Sequence, residues 1–323
     1  MGHRLNIEMD ILKRFYKGEV RALSRIVSFV ENRSDGYRDL LAKMYKSVGK
    51  SLRIGITGPP GAGKSTIVNC LITEFLKLDK KIGVIAVDPT SPFTGGALLG
   101  DRVRMNEFSG EDRVYFRSMA TRGASGGLTA ATNNVTVIYD AFGFDITLIE
   151  TVGVGQVELD IVDNCDVVVV AMVPESGDAV QTMKAGLMEI ANIFCVNKAD
   201  RPGSERIVSE LRQAMEHRKK VETDWKIPVI PTEAVNGKNI SKLMAKIFAY
   251  VDFVKANGEF ETHRRNQIQK QIMNVLQFRF HRDFVEKLKN NPEFKTIIDE
   301  IFSGKSDPYS IGEQLYRKFS VTK

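Results

Sequence analysis

A glycine-rich segment, Gly58-Pro-Pro-Gly-Ala-Gly-Lys-Ser-Thr66, follows the apolar run Leu52–Thr57 and precedes a helical pattern at Thr66–Leu78. It fits G-x-x-x-x-G-K-[ST], in which backbone N–H groups and a helix N-terminus surround phosphate oxygens. We expect Lys64 to neutralise the β- and γ-phosphates and Ser65 to offer its hydroxyl to Mg²⁺. The residues predicted to bind nucleotide phosphates are Gly58, Pro59, Pro60, Gly61, Ala62, Gly63, Lys64, Ser65 and Thr66.

A second motif, Asn197-Lys-Ala-Asp200, follows the apolar run Ile193–Val196 and has the N-K-x-D pattern typical of guanine recognition. A carboxylate at Asp200 can accept both the N1–H and the 2-amino group of guanine, and adenine offers neither donor. The stem of Lys198 can lie over the base. The stretch Pro231–Val235 follows the next apolar run, and its N–H groups are predicted to approach guanine O6. The residues concerned are Glu233, Ala234 and Val235.

Three carboxylates follow apolar runs or glycine-rich loops and are candidates to hold Mg²⁺ directly or through water. Asp88 and Glu150 end two of the runs, and Asp101 follows the loop Thr94–Gly100. A helix cap is an alternative role for each acid, most of all for Asp101. Glu150 opens an E-x-x-G pattern that places Gly153 where its N–H can reach the γ-phosphate. The metal set predicted from the sequence is Ser65, Asp88, Asp101 and Glu150.

Seven apolar runs alternate with helical segments through the middle of the chain, a pattern typical of a P-loop NTPase with a doubly wound, mostly parallel α/β sheet. We predict a helical extension at residues 1–50, a nucleotide domain at 51–256 and a C-terminal helical arm at 257–323. The predicted strands are Leu52–Thr57, Lys81–Val87, Val114–Arg117, Ile146–Glu150, Val167–Val173, Ile193–Val196 and Val229–Pro231.

The C-terminal arm carries apolar side chains at every fourth residue, which predicts one stripe along a long helix. Gly304 and Pro308 then separate two shorter helices. Such a stripe either docks on the domain or pairs with another chain, and we favour a dimer contact. Its members are Ile268, Ile272, Leu276, Phe280, Phe284 and Leu288.

Composition excludes several classes of protein. Apolar residues make up 43% and charged residues 27%, as in an ordinary globular protein, and no apolar run approaches the ~20 residues that cross a bilayer. We therefore expect a soluble, cytoplasmic protein without a secretory signal. The net charge of +6 is too small and too scattered to predict nucleic-acid binding. Cys70, Cys165 and Cys195 show no ligand or disulfide spacing and are expected to be small buried residues.

Together the motifs resemble the MeaB/ArgK/MMAA group of P-loop GTPases over nearly the whole chain. The resemblance rests on the P-loop, the Asn197-Lys-Ala-Asp motif and four further segments. These are Val87-Asp-Pro-Thr-Ser-Pro, Gly100-Asp-Arg-Val-Arg-Met, Thr121-Arg-Gly-Ala-Ser-Gly-Gly and Glu150-Thr-Val-Gly-Val-Gly-Gln.

The resemblance implies a GTPase chaperone of an adenosylcobalamin-dependent acyl-CoA mutase, typically methylmalonyl-CoA mutase, that gates cofactor loading and protects the mutase. It also implies a homodimer held by C-terminal helices, with no cobalamin bound by this chain itself. The segment Pro174–Lys184 matches an additional switch of the family. By that match Asp178, Gln181 and Lys184 would transmit the nucleotide state, and Arg104 matches a basic residue of the phosphate-side switch.

The mechanism expected from these residues is stabilisation of charge on the departing γ-phosphoryl group by Lys64, Mg²⁺ and backbone N–H groups, with Glu150 and Arg104 as further catalytic candidates. No glutamine adjoins Gly153 and no arginine finger is assured, which predicts a slow intrinsic rate. Two alternatives remain open at the level of sequence. A metallochaperone GTPase for nickel or cobalt would need a Cys/His ligand set, and a P-loop small-molecule kinase would prefer ATP.

Overall fold

The computed structural model describes residues 10–88, 107–108, 110–120, 127–151, 157–175, 185–217, 224–289 and 291–320. Its seven strands form one sheet in which every strand pairing is parallel, in the order β3-β2-β4-β1-β5-β6-β7. The strands are β1 (Leu52–Thr57), β2 (Ile82–Asp88), β3 (Val114–Ala120), β4 (Ile146–Thr151), β5 (Val167–Met172), β6 (Ile193–Val196) and β7 (Val229–Pro231). The predicted doubly wound α/β sheet is confirmed.

Helices lie between most of the strands and at both ends of the described chain. Residues 10–16 are helical. The other α-helices are α1 (Val20–Glu31), α2 (Tyr37–Met44), α3 (Lys64–Lys77), α4 (Gly127–Phe142), α5 (Val157–Asp160), α6 (Ala185–Ile190), α7 (Ser204–His217), α8 (Ile240–Ala256), α9 (Glu259–Lys289), α10 (Phe294–Phe302) and α11 (Pro308–Ser320). Short 3₁₀ helices occur at Tyr45–Ser47, Ile161–Asn164 and Ala234–Asn236.

The middle of the sheet is buried on both faces, since β4, β5 and β6 are buried at every position. Alternate side chains of each strand point to opposite faces, so that Val168 and Val169 of β5 join two different apolar clusters. One cluster packs against α3 and α8. The other includes Leu23 and Val27 of α1, which shows that the N-terminal helices share a core with the sheet.

Several boundaries differ from the sequence prediction, among them the ends of β4, which is one residue longer than predicted, and of β5, which is one residue shorter. Helix α3 begins at Lys64 rather than at Thr66, because Gly63 is its N-cap and accepts the first helical hydrogen bond from Ile67 N (3.0 Å). Strand β3 continues beyond Arg117 to Ala120, because its backbone pairs with β2 as far as Asp88 opposite Ala120. Strand β2 starts and ends one residue later than predicted.

The chain divides into two compact units, Met1–Gln267 and Ile268–Lys323. The first turns of α9 belong to the first unit, since Arg264 donates to Asp166 Oδ1 (2.9 Å) and Oδ2 (2.8 Å) and buried Gln267 donates to the carbonyl of Cys165 (2.8 Å). The three-part division with a boundary at residue 256 stays a prediction.

The second unit contains the rest of α9 with α10 and α11, as the punctuation at Gly304 and Pro308 predicts. Within it, the rings of Phe284 and Tyr316 stack at 6.4 Å, and Lys318 contacts Glu293 at 3.2 Å. Four residues of the predicted stripe remain between 42% and 72% exposed, namely Ile268, Ile272, Leu276 and Phe280. Every helix among the described residues is too short or too polar to span a bilayer.

Candidate functional site

The glycine-rich loop leaves the carboxyl end of the central strand β1 and enters α3, as its sequence predicts. Two of its glycines cannot be replaced without displacing neighbouring atoms. Gly58 has φ +135°, and a Cβ there would lie 2.1 Å from the carbonyl oxygen of Ala171 in β5. Gly63 has φ +79°, and a Cβ there would lie 2.3 Å from Asn197 Nδ2. The close approach of β5 and of Asn197 therefore fixes the path of the loop.

Lys64 is buried in the first turn of α3 and folds back over the loop. Its Nζ donates to the carbonyl oxygens of Gly58 (2.8 Å) and Pro59 (2.9 Å). This arrangement places a positive charge beside the N-terminus of α3, where backbone N–H groups already favour anions. The remaining predicted phosphate-loop residues, Pro60, Gly61, Ala62 and Thr66, flank this charge along the loop and the first turn of α3, with Ala62 fully buried.

Ser65 and Glu150 meet next to the loop. The Ser65 hydroxyl donates to Glu150 Oε1 at 2.6 Å, and the Glu150 side chain is buried. The neighbouring strand β2 ends at Asp88, one residue after Val87, which lies opposite Thr151 in the sheet. A hydroxyl and a carboxylate held this close are hard oxygen donors, and Mg²⁺ in nucleotide sites typically takes one or two such groups together with phosphate oxygens. The donor set therefore fits Mg²⁺.

Asn197 connects the phosphate loop to the base-recognition loop. Its Nδ2 donates to the carbonyl oxygen of Ala62 (3.0 Å), and its Oδ1 accepts from Ala234 N (3.1 Å) and from the Thr232 hydroxyl (3.3 Å). All of these groups are buried. A single amide side chain thus fixes the distance between the two loops that are predicted to contact opposite ends of a nucleotide.

The other residues of the Asn197-Lys-Ala-Asp motif form a turn beyond β6. Lys198 adopts a left-handed conformation with φ 56°, and Ala199 N donates to the carbonyl of Thr232 (2.9 Å). Asp200 is exposed. The turn therefore presents an exposed carboxylate while its backbone is anchored to the loop after β7, a geometry that suits recognition of a base edge.

The loop after β7 carries Glu233, Ala234 and Val235. The amide N–H of Glu233 donates to the carbonyl of Lys238 (3.2 Å), and that of Ala234 donates to Asn197, so a contact of either amide with guanine O6 would have to share its donor. Val235 is 89% exposed. The hydrogen bond from Lys238 (2.5 Å) lowers the pKa of Glu233, which is ionised in this pair. The guanine contact of this loop stays a prediction.

Several residues singled out from the sequence lie outside the described residues, and the structure neither brings them together nor separates them. They are Asp101, Arg104, Gly153, Asp178, Gln181 and Lys184. For Asp88 only the backbone position at the end of β2 is described. The assignment of these residues to metal, phosphate or partner remains a prediction.

Sequence reasoning missed three threonines beside the site. Thr232 bonds to Asn197, and the Thr151 hydroxyl donates to the Thr57 hydroxyl (2.9 Å) directly before the phosphate loop. All three are buried. A hydroxyl at the carboxyl end of an otherwise apolar strand is a signal that could have indicated them, because a buried hydroxyl needs a partner.

The cysteines show no site of their own. Cys165 and Cys195 are buried, and burial raises the pKa of the Cys195 thiol to about 12. Cys70 is partly buried, not fully as predicted, and its thiol donates to the carbonyl of Ala234 (3.0 Å). Within the described ranges, no three His, Cys, Asp or Glu side chains form a group that could hold a metal ion.

A phosphate loop, a buried lysine, a Ser–Glu oxygen pair and a guanine-type turn at one edge of a parallel sheet define a P-loop GTPase. A sequence model of the family described as methylmalonyl-CoA mutase-associated GTPase MeaB matches residues 23–290. The chain belongs to the MeaB family.

Named relatives agree with this assignment. Over 311 residues the chain is 44% identical to a protein of Pyrococcus abyssi that carries the name of a GTPase, covering 96% of both chains. Over 327 residues it is 30% identical to the "Methylmalonic aciduria type A homolog, mitochondrial" of Caenorhabditis elegans, covering 96% of this chain and 82% of the relative. The chain is a GTPase of this family.

A solved structure shares the fold. The crystal structure titled "LAO/AO transport system kinase" superposes with a TM-score of 0.71 at 22% identity, covering 97% of this chain and 98% of the other. At that identity the likeness concerns the arrangement of strands and helices alone.

Proposed function

We propose that the chain is a GTP-dependent chaperone of an adenosylcobalamin-dependent acyl-CoA mutase, most specifically of methylmalonyl-CoA mutase. The observation that carries the proposal is the family match over residues 23–290, which spans both nucleotide loops. A relative named after methylmalonic aciduria supports the same client. In this role GTP binding and hydrolysis would gate delivery of the cofactor to the mutase and protect the loaded enzyme.

The chemistry of the site suits a GTPase that binds GTP firmly and hydrolyses it slowly. Lys64 and the N-terminus of α3 would hold the phosphates, while Asn197 and Asp200 would hold guanine. Mg²⁺, held by Ser65 and Glu150 with Asp88 and Asp101, would supply positive charge against the β- and γ-phosphate oxygens. Since the sequence offers no assured arginine finger, the intrinsic rate should be slow, and a bound mutase would raise it.

Coupling to the client would use the chain segments that follow the carboxyl ends of the parallel strands, on the side of the phosphate loop. Strands β2, β4 and β5 are neighbours of β1 or of one another in the sheet and end on the phosphate-loop side. The segments that follow them contain Arg104, Gly153 and the proposed coupling residues Asp178, Gln181 and Lys184. The bound nucleotide and the bound partner would thus influence each other through the segments at the carboxyl ends of these strands.

We further propose a homodimer in which the exposed stripe of α9 pairs with a second copy. Four large apolar side chains at successive turns leave more apolar surface in water than scattered exposed residues normally do. Pairing two such stripes would bury them along a seam.

The test compares GTPase rates of the purified chain alone and with methylmalonyl-CoA mutase, isobutyryl-CoA mutase or ethylmalonyl-CoA mutase, together with co-elution in GDP and in a non-hydrolysable GTP analogue. We expect one mutase to co-elute in a nucleotide-dependent manner and to raise the rate at least tenfold. Lys64→Ala, which removes the phosphate-binding charge, should abolish the nucleotide dependence. If every mutase neither binds nor changes the rate, the chaperone proposal fails and the GTPase assignment stands.

A further inference from the structure

Two consecutive residues of β4 hold the two ends of the phosphate loop. Glu150 accepts a hydrogen bond from Ser65, the second residue of α3, just after the loop. Thr151 donates to Thr57, the last residue of β1, just before the loop. The whole loop, Gly58–Lys64, therefore lies between two side-chain contacts with one strand.

The two contacts lie on opposite faces of the sheet. Side chains of consecutive strand residues point to opposite faces, so Glu150 faces α3 and Thr151 faces away from it. The sheet register agrees, because Thr57 lies opposite Val170 and Thr151 opposite Val87, and both valines belong to the cluster that contains α1. The end of β4 is thus fixed relative to the loop from both sides.

The Thr57–Thr151 pair is not required for filling space. Its neighbours in the sheet, Val87 and Val170, are valines, and valine has nearly the shape of threonine without a hydroxyl that must be desolvated. Thr57 and Thr151 are no more than 2% exposed, so each hydroxyl depends on the other for the hydrogen bond that the structure gives it. A hydrogen bond between two buried hydroxyls in an apolar neighbourhood fixes the relative position of the two strand ends more than it improves their packing.

We propose that Thr57 and Thr151 are positioning residues for GTP hydrolysis. Their hydrogen bond sets the place of Glu150 and of the carboxyl end of β4 relative to the phosphates bound by the loop. Neither threonine needs to touch the nucleotide. Their effect acts through Glu150 and through the start of the E-x-x-G segment, where small displacements strongly affect the rate of a positioned reaction.

The experiment uses the full chain without a mutase and compares Thr57→Val and Thr151→Val with the matched controls Thr57→Ser and Thr151→Ser. We expect each valine variant to lower kcat for GTP hydrolysis about tenfold. KM for GTP and Kd for GDP should change less than about threefold. The serine variants, which keep the hydroxyl, should retain a rate within about twofold of the parent. The double valine variant should be no slower than either single one, because both remove the same contact.

Four results would overturn the proposal. Unchanged kcat in both valine variants would show that the threonine pair has no role in GTP hydrolysis. Parallel loss of kcat, GDP affinity and thermal stability would indicate a packing role, and so would failure of a valine variant to fold, since valine should fit this space. Additive effects in the double variant would show that the hydroxyls act separately. None of these results depends on a mutase, so they leave the chaperone proposal untouched.

Discussion

Asn197 donates a 3.0 Å hydrogen bond from its side-chain amide to the carbonyl oxygen of Ala62, so the motif predicted to recognise guanine directly contacts the phosphate loop. The two residues are 135 positions apart in the chain. Because the same amide group also accepts from Ala234 and Thr232, three loops share one buried side chain. A nucleotide bound between them would meet a preassembled site.

Replacing Asn197 with alanine should therefore weaken nucleotide binding and the fold together. The change leaves Ala62 O and Ala234 N without this partner, and each unsatisfied buried group costs ~1–3 kcal/mol. The Thr232 hydroxyl keeps its contact with the Cys195 thiol (3.1 Å). We expect Kd for GDP to rise more than about tenfold, equivalent to ~1.4 kcal/mol, and the melting temperature to fall. Calorimetric titration and thermal unfolding measure both. Asn236→Ala, which removes an exposed amide nearby, is the control; an unaltered GDP affinity in Asn197→Ala would refute the bridging role.

Asp200 should decide which base is bound. In Asp200→Asn one of the two acceptors becomes an amide donor, which would face the 2-amino donor of guanine. We expect affinity for GTP to fall at least about tenfold and affinity for xanthosine triphosphate, whose 2-oxo group accepts, to rise. Competition binding with GTP, ATP and xanthosine triphosphate checks this, with the exposed Asp252→Asn as control. A variant that still prefers GTP would place base recognition elsewhere.

The sheet could be predicted from the sequence because its strands are short apolar runs. Strand β5 is Val167–Met172, within one residue of the run that predicts it, since a strand buried on both faces is apolar at every position. Strand β3 was predicted too short, because Ser118 interrupts the apolar pattern while backbone pairing with β2 continues to Ala120. Local composition does not reveal where backbone pairing ends.

Individual residues of the site could be predicted from local motifs, but the direct contacts between motifs distant in the chain could not. Lys64 and Ser65 follow from the spacing of the phosphate loop. The Ser65–Glu150, Thr57–Thr151 and Ala62–Asn197 contacts depend on the strand order, in which β4 and β5 flank β1. That order arises from packing of the whole sheet, and a single motif does not contain it.

Glu150 should control the response to magnesium. Glu150→Gln keeps an oxygen that can accept from Ser65 but removes the negative charge that would attract a cation. We expect the Mg²⁺ concentration for half-maximal GTP hydrolysis to rise by about 10–100-fold. Mutation of a residue that supports a metal site typically lowers metal affinity by that factor. The measurement is a Mg²⁺ titration of the rate. Glu205→Gln, an exposed change on α7, is the control, and an identical titration curve for Glu150→Gln would exclude it from the metal site.

The Glu111–Arg113 pair just before β3 should make the stability of the fold depend on pH in the acid range. Two 2.8 Å hydrogen bonds from Arg113 lower the pKa of Glu111 to about 2. A depressed carboxyl pKa contributes stability above its unfolded value of 4.5 that is lost as pH falls toward 2. We therefore expect Glu111→Gln to lower the urea midpoint slightly at pH 6 and progressively less toward pH 3. Asp112→Asn, an exposed neighbour, is the comparison; a difference that is constant with pH would contradict the pairing.

The stripe on α9 should hold the proposed dimer. Ile272→Glu places a charge at the centre of the apolar seam, and burying an unpaired carboxylate there is strongly unfavourable. Gln277→Glu introduces the same charge about 120° around the helix from the middle of the four exposed stripe residues, taking 100° per residue. Light scattering after size exclusion should show a dimer for the parent and for Gln277→Glu, and a monomer for Ile272→Glu at micromolar concentration. A parent that is monomeric, or an Ile272→Glu variant that stays dimeric, would show that this stripe has another role.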